Sequence, residues 1–277
     1  MSDRIFSFVI WMSAAFVGAV FLWILGDILL KGIPHLSLSF LLEQPEDAGR
    51  SGGIFPVIVS TALILMVAVA VSVPFGLGVA VWLAEFSQTG RKAASSTRLT
   101  LDVLAGVPSI VYGLFGNAFF SIFLGLGFSI FSGGLTLACM ILPVFIRTAE
   151  AGLSAVNHSW REGASALGMN KTSAIWHILL PSAAPAIVAG LILGIGRATA
   201  ETAALIFTSG YVDRMPGSLM DSGRALAVHI YDLSMNVTGG DSAAYASALT
   251  LIAVIITFNM MAQAITDQWL GKKVQRA

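Results

Sequence analysis

Six long apolar stretches, at residues 5–30, 54–83, 101–123, 128–146, 182–207 and 246–268, govern what this chain can become. A helix needs roughly 20 mostly apolar residues to cross the hydrocarbon core of a bilayer, and each stretch meets or approaches that length. Charged residues make up 11% of the chain, against about 25% in a soluble domain. So few charges cannot cover a water-soluble surface of this size. The sequence therefore predicts an all-α membrane protein of six transmembrane helices. A single domain is expected over residues 1–277, with an N-terminal helix at about 5–30 and core helices from about 54 to 268. Disordered, collagen-like and disulfide-rich classes are excluded. Fifteen basic residues balance fifteen acidic ones, so the chain is expected to partner membrane lipid and not nucleic acid. The lone Cys139 cannot form an intrachain disulfide. The first stretch exceeds the ~7–15 apolar residues of a cleaved signal and is expected to remain as an anchor. Gly125-Leu126-Gly127 predicts a tight antiparallel hairpin between the third and fourth spans. No internal repeat stands out.

Lysine and arginine placement sets the orientation. With the N-terminus in the cytoplasm, the inner segments hold Arg4, Arg91, Lys92, Arg98, Arg147, Arg161, Lys171, Lys272, Lys273 and Arg276. The outer segments hold only Lys31, Arg50, Arg214 and Arg224, and Arg197 is left within the bilayer. Both termini are then cytoplasmic. The acids Glu43, Glu46, Asp47, Asp213, Asp221, Asp232 and Asp241 lie outside, where the last four read as a solvated face.

The large inner loop, at about 150–181, carries clear helix punctuation. Ser159 and Glu162 have the spacing of a capping box, and Gly168 suits the residue just past a helix end. Trp160, Ala164 and Leu167 fall at i, i+4 and i+7 and form one small apolar face. A second helical run through Ile175, Ile178 and Leu179 is expected to end at Pro181, with Pro181 and Pro185 opening the fifth span. A helix of two turns is marginal alone. It needs a surface, either the membrane interface of its own chain or a groove on a cytoplasmic partner. Glu162-Gly163-Ala164, then Gly168, then Ile178-Leu179-Leu180-Pro181 resembles the EAA signature of ABC importer permeases, E-A-A, three residues, G, nine residues, I-x-L-P. Gly163 stands where the signature has its first alanine, a change that loosens the helix by about 1 kcal/mol. The resemblance implies that the short helix docks in a cleft of an ATP-hydrolysing subunit. Ser159, Trp160, Glu162, Ala164, Leu167 and Gly168 are then the coupling residues.

Within the fifth span, Arg197 lies about 22 Å along a helix counted from Ser182. An arginine at the bilayer centre costs about 2.5–3.5 kcal/mol on insertion scales. Glu201 at i+4 is the expected partner, on the same face. At 100° per residue Gly190, Gly194, Arg197, Glu201 and Thr208 share a stripe, and Gly190 and Gly194 form a Gly-x-x-x-Gly packing motif. The charges are therefore expected to face other helices. The pair either fixes helix register or lines a polar pathway, where a guanidinium fork suits an oxyanion.

In the third span, Gly106-Val107-Pro108-Ser109-Ile110-Val111-Tyr112-Gly113 puts proline and glycine within apolar sequence. Pro108 unpairs a carbonyl and kinks the helix. Such a kink serves packing, or it lines a cavity in which Ser109 and Tyr112 offer hydroxyls to an anion. Arg147 in the fourth span reads as an interfacial anchor. The run from Asp102 to Gly116 and the run from Arg197 to Ala203 look like those of phosphate importer permeases, as do Leu142-Pro143 with 147–150 and the segment 225–231. The compact first outer loop favours the PstA-type subunit. The resemblance implies the type I ABC importer permease (MetI-like) fold, a five-helix core plus one N-terminal helix, in a multi-pass protein of the cell inner (plasma) membrane. It implies a PstC-type paralogous permease, a dimer of ATP-binding subunits and an extracytoplasmic phosphate-binding protein as partners. Arg197 and Glu201 become the intramembrane charges of an R-x-x-x-E-T motif associated with phosphate passage, with Pro108, Ser109 and Tyr112 alongside.

No G-x-x-x-x-G-K-[ST] loop occurs, so ATP is expected on the partner subunit, with no cofactor in this chain. His35, His158, His177 and His229 lack metal-ligand spacing, and no G-x-S-x-G or H-E-x-x-H is present. A permease for sulfate, molybdate or tungstate is the competing transporter reading. A membrane-embedded enzyme would need clustered His, Asp or Glu at one membrane face, and the sequence lacks them.

Overall fold

The computed structural model describes residues 2–87 and 92–274, with side chains over 4–87 and 92–264. Arg91 and Arg276, and the side chains of Lys272 and Lys273, lie outside the described residues. Helix α1 (Ser2–Gly32) leads through a turn at Ile33–His35 to α2 (Leu38–Leu42), capped by the Ser37 hydroxyl. A two-stranded antiparallel ribbon, β1 (Pro45–Glu46) with β2 (Ser51–Gly52), completes the first connecting loop. Helix α3 (Phe55–Val81) ends in a π turn at Trp82–Phe86. Then come α4 (Lys92–Ala105), α5 (Ser109–Gly116) with a π turn at Asn117–Phe123, and α6 (Ile130–Ser154). Helix α7 (His158–Ala166) sits on the loop before α8 (Lys171–Ala174), a π turn at Ile175–Leu179 and α9 (Leu180–Thr199). The chain closes with α10 (Ala203–Ile206), α11 (Leu226–Met235) and α12 (Asp241–Val274).

Among the described residues, five helices are long and apolar enough to cross a membrane, or six if α4 and α5 count as one broken span. Helix α6 is the centre of the bundle, packed between α3 and α9 and touched by α4 and α5. Without water between helices, close backbone approach sets the packing. A Cβ added to Gly190 would lie 2.8 Å from Thr148 Cβ, and one on Gly194 would lie 2.7 Å from Ile141 Cγ2. The Gly-x-x-x-Gly face of α9 is thus the face laid on α6. Helix α1 is peripheral and packs on α12, where Asp27 accepts from Tyr245 at 2.9 Å and pairs with Lys31 at 2.8 Å. One apolar cluster (Ile64, Leu137, Ile141, Phe145, Leu205) fills the middle. A second (Leu83, Leu101, Ile146, Leu153, Ile175, Leu179) lies towards α7. A third (Phe40, Ile54, Val57, Leu226, Leu233) lies at the opposite end.

Two expected spans differ. The stretch 101–123 is not one helix. Its two parts, Lys92–Ala105 and Ser109–Phe123, are bent by 102°. Pro108 has no N–H to give Leu104 and stands in extended conformation (φ −60°, ψ 142°) as the cap of α5. The fifth span is displaced towards the N-terminus. It runs Lys171–Thr199 and neither begins nor ends at Pro181. The π turn upstream absorbs the proline, because its wider bond from Leu180 N–H to the Ile175 carbonyl shifts the ladder where Pro181 supplies no donor.

Candidate functional site

Helix α9 stops at Thr199, and the backbone leaves helical geometry at Ala200 (φ −87°, ψ 1°). The expected i, i+4 pair between Arg197 and Glu201 therefore does not form, because Glu201 lies past the helix end. Arg197 occupies the last turn of α9. Its side chain is exposed on the chain's surface, not turned onto α6 with Gly190 and Gly194. It makes no ion pair among the described residues, and it is within electrostatic range of the Tyr112 hydroxyl. Glu201 is 9% exposed, and its Oε1 accepts from Ala204 N–H at 3.2 Å. The carboxylate thus caps α10 and holds down the turn that follows Arg197. Helix α10 packs on α5, where a Cβ on Gly113 would meet Ala204 Cα at 2.8 Å. The breaks at 106–108 and 200–202 are therefore joined through α5 and α10.

Tyr112 is buried, and its hydroxyl donates to the Leu104 carbonyl at 2.8 Å. It satisfies the carbonyl that Pro108 leaves without its usual partner, so its proton is not offered to a ligand. Ser109 stands half-buried at the start of α5. The groove beside the break, about 470 Å³, is lined by Leu101, Leu104, Val107, Val111, Tyr112, Phe115 and neighbours, and its surface is almost wholly apolar. Within this chain the groove offers an apolar surface, with the Tyr112 hydroxyl turned to Leu104 and Ser109 outside the lining, as the packing reading of the kink expects.

At the other functional region, α7 is capped by Asn157, whose Oδ1 accepts from Ser159 N–H at 3.0 Å. The expected capping box of Ser159 and Glu162 is not formed, because the helix starts one residue before Ser159. Glu162 instead meets His158 Nδ1 at 3.2 Å, both exposed. Gly168 ends the helix as expected. Its φ of +72° lets Met169 N–H reach the Ala164 carbonyl and Gly168 N–H the Ser165 carbonyl, both at 3.0 Å. Of the expected apolar face, Ala164 is buried, whereas Trp160 (56% exposed) and Leu167 (81%) point outward. Leu167 sits past the last helical residue (ψ 5°), which turns it away from the face.

Several charged residues not assigned to a site from the sequence lie around α7. Arg161 pairs with Glu85 at 2.6 Å and donates to the Val156 and Leu153 carbonyls at 2.7 and 2.8 Å. Arg98 of α4 pairs with Glu150 of α6 at 2.6 Å. Arg147 bridges Asp102 and Glu150, each at 3.0 Å, so it ties α6 to α4 and is not a simple interfacial anchor. Away from α7, Arg224 is buried between Asp213 (3.5 Å) and Asp232 (3.2 Å) and touches His229 Nδ1 at 3.3 Å. Those two acids are not a solvated face. Burial and the adjacent Arg224 charge push the His229 pKa down to about 4. The only sequence signal for these pairs was the presence of each charge beside an apolar run.

A bundle of apolar helices around α6, carrying a short outward helix that ends in Gly168, has the architecture of an importer permease. Residues 72–272 match the family described as binding-protein-dependent transport system inner membrane component, and the chain belongs to that family. It is a multi-pass inner membrane transport subunit, and the ATPase with which such permeases work is a separate chain, as is the substrate-binding protein. The PstA phosphate transport permease of Pasteurella multocida is 36% identical, over 71% of this chain and 70% of that one. PstA 1 of Mycobacterium tuberculosis H37Rv is 37% identical, over 78% and 70%. The probable ABC transporter permease YqgI of Bacillus subtilis is 28% identical over 100% of this chain and 97% of that one. Among solved structures, the MetNI methionine ABC transporter gives a TM-score of 0.59 at 14% identity, over 78% of this chain and 94% of that one. A bacterial alginate ABC importer gives 0.61 at 13%, over 92% and 96%. These neighbours share the type I importer permease (MetI-like) fold.

Proposed function

We propose that this chain is the PstA-type permease subunit of an ATP-driven phosphate importer. It forms half of the translocation pathway, with a PstC-type paralogue forming the other half. Both termini are cytoplasmic, so α7 and the loop at 150–181 face an ATPase dimer, while the connections at 31–53 and 208–245 face a phosphate-binding protein. The observation that carries the reading is Arg197, a guanidinium at the broken end of an apolar helix, exposed on the single chain and free of an ion-pair partner among the described residues. Such a charge needs a covering surface and an anion, and a second permease across the pathway supplies the first. Glu201 acts indirectly by fixing the turn behind Arg197. Pro108 and Tyr112 shape the adjoining α5, and Ser109 stands at its start. Trp160 and Leu167 supply the outward apolar contacts for the ATPase. Glu162, exposed beside His158, can exchange that partner for one on the ATPase, while Ser159, Ala164 and Gly168 hold the helix in form.

ATP binding on the partner closes its two copies and draws α7 with them; the bundle then opens outward to receive phosphate, and hydrolysis returns it inward. The relatives named as phosphate permeases support this substrate over other oxyanions, although a guanidinium fork also fits sulfate or molybdate. The test is reconstitution with partner subunits and labelled-phosphate uptake competed by arsenate, sulfate and molybdate. Competition by arsenate alone is expected. Competition by sulfate or molybdate at equal concentration would assign the pathway to another oxyanion.

A further inference from the structure

The coupling helix α7 is tied covalently to α6 and α8 alone, yet its shortest side-chain bond goes to the π turn that ends α3, 76 residues away in sequence. Arg161 Nη2 and Nε donate to Glu85 Oε1 at 2.6 and 3.1 Å, and the Glu85 side chain is only 6% exposed. The same guanidinium holds the Leu153 and Val156 carbonyls at the end of α6. Lys171, just past α7, donates to the Glu85 carbonyl and lies 4.4 Å over the Phe86 ring. Arg98 of α4 reaches the Leu83 carbonyl at 3.2 Å and pairs with Glu150. The contacts of Arg161 with the Glu85 carboxylate, of Lys171 with the Glu85 carbonyl and Phe86 ring, and of Arg98 with the Leu83 carbonyl converge on one π turn, Trp82–Phe86, closed by Ser87 N–H on the Trp82 carbonyl at 2.9 Å. Such turns interrupt a regular helix and mark places where its register can shift. The turn is the point where the coupling helix, α3 and the broken helix α4–α5 meet.

We propose that Glu85 is a positioning residue for ATP coupling: through Arg161 it makes the end of α3 follow α7, and through the shared turn it passes that displacement to Arg98 and α4. The inference rests on the importer-permease family and not on phosphate as the substrate. Two N–H groups of one planar guanidinium closing on the same carboxylate oxygen transmit direction as well as attraction, because they restrict the relative orientation of the two side chains. A transmission path needs an element that both ends bias; here that element is the π turn.

The test uses the full complex with its ATPase subunit in lipid nanodiscs. Hydrogen exchange is read at 82–87 and at 158–166, without nucleotide and with nucleotide trapped by vanadate. In the wild type both segments are expected to respond to trapping. In Glu85→Gln the segment 158–166 still responds and 82–87 does not. In proteoliposomes ATP hydrolysis persists, while phosphate taken up per ATP falls at least tenfold, and Glu85→Asp recovers part of it. An unchanged response at 82–87, or uptake and hydrolysis falling in equal proportion, overturns the proposal. If Glu85→Gln does not assemble, Arg161→Lys, which keeps the charge and loses the fork, is scored by the same two readings. Exchange needs nucleotide only, so a wild-type complex that imports no phosphate contradicts the substrate reading and still scores the joint.

Discussion

Tyr112 and Leu104 face each other across the break at Pro108, the phenol hydroxyl donating to the backbone carbonyl at 2.8 Å. A proline removes the donor that residue 104 would have used, and a tyrosine eight residues along replaces it. The 102° bend is therefore closed by a side chain and not left to solvent. Tyr112→Phe leaves that carbonyl with the weaker bond from Val107 N–H at 3.1 Å. The expected cost is about 1 kcal/mol, read as a lower thermal midpoint of the purified permease, with uptake close to wild type. A large loss of uptake without a loss of stability would place the hydroxyl on the transported anion instead.

Gly194 lies under Ile141 with no room for a side chain. Gly194→Leu is expected to lift α9 from α6 and abolish stable assembly in the membrane. Gly194→Ala forces Ile141 to shift, at a cost of about 1–3 kcal/mol, the usual range for overpacking. Gly196 lies in the same helix with open space around it, so Gly196→Ala is the control, with a thermal midpoint no lower than wild type.

Leu167 is 81% exposed at the end of α7. Leu167→Glu is expected to leave the fold intact and to weaken co-purification of the ATPase subunit several-fold. Normal co-purification would remove Leu167 from the docking surface.

His229 offers a pH test outside the spans. Its folded-state pKa of about 4 lies below the ordinary histidine value. Arg224 donates to Nδ1, which leaves the proton on the buried, unpartnered Nε2. Arg224, Asp213, Asp232 and the backbone at Gly49 surround the ring. The unfolded chain takes up this proton as pH falls through about 6.5, and the folded chain only near 4. Stability is therefore full above about pH 6.5 and is lost progressively down to about pH 4, by on the order of 3 kcal/mol in total. Thermal midpoints of wild type and His229→Gln across that window are expected to converge as pH falls. Parallel curves would show that another group carries the dependence.

Hydropathy made the helices legible, because apolar length is a property each residue contributes to independently. It did not reveal where the backbone turns. Ala203–Ile206 is as apolar as α9, so the sequence reads through 200–202, where neither glycine nor proline marks the break. The expected Arg197–Glu201 pair failed for that reason alone. Pro108 did announce its break, yet the size of the bend depended on what α4 could pack against. Asn157 and Ser159 are equally capable caps, and the choice between them is made by where α6 ends. Glu85–Arg161 and Arg98–Glu150 join residues 76 and 52 apart, and no local pattern relates such partners. The motif of α7, by contrast, was legible through Gly168, because a positive φ restricts the residue at that position.

The most direct measurement is ATP-driven uptake of labelled phosphate by the reconstituted complex, wild type against Arg197→Gln and Arg197→Lys. Arg197 touches no acid among the described residues, so both variants are expected to assemble with the ATPase subunit. Arg197→Gln should lose at least 100-fold in uptake, and Arg197→Lys, which keeps the charge without the fork, should retain part of it. Uptake at the wild-type rate in Arg197→Gln would contradict the account.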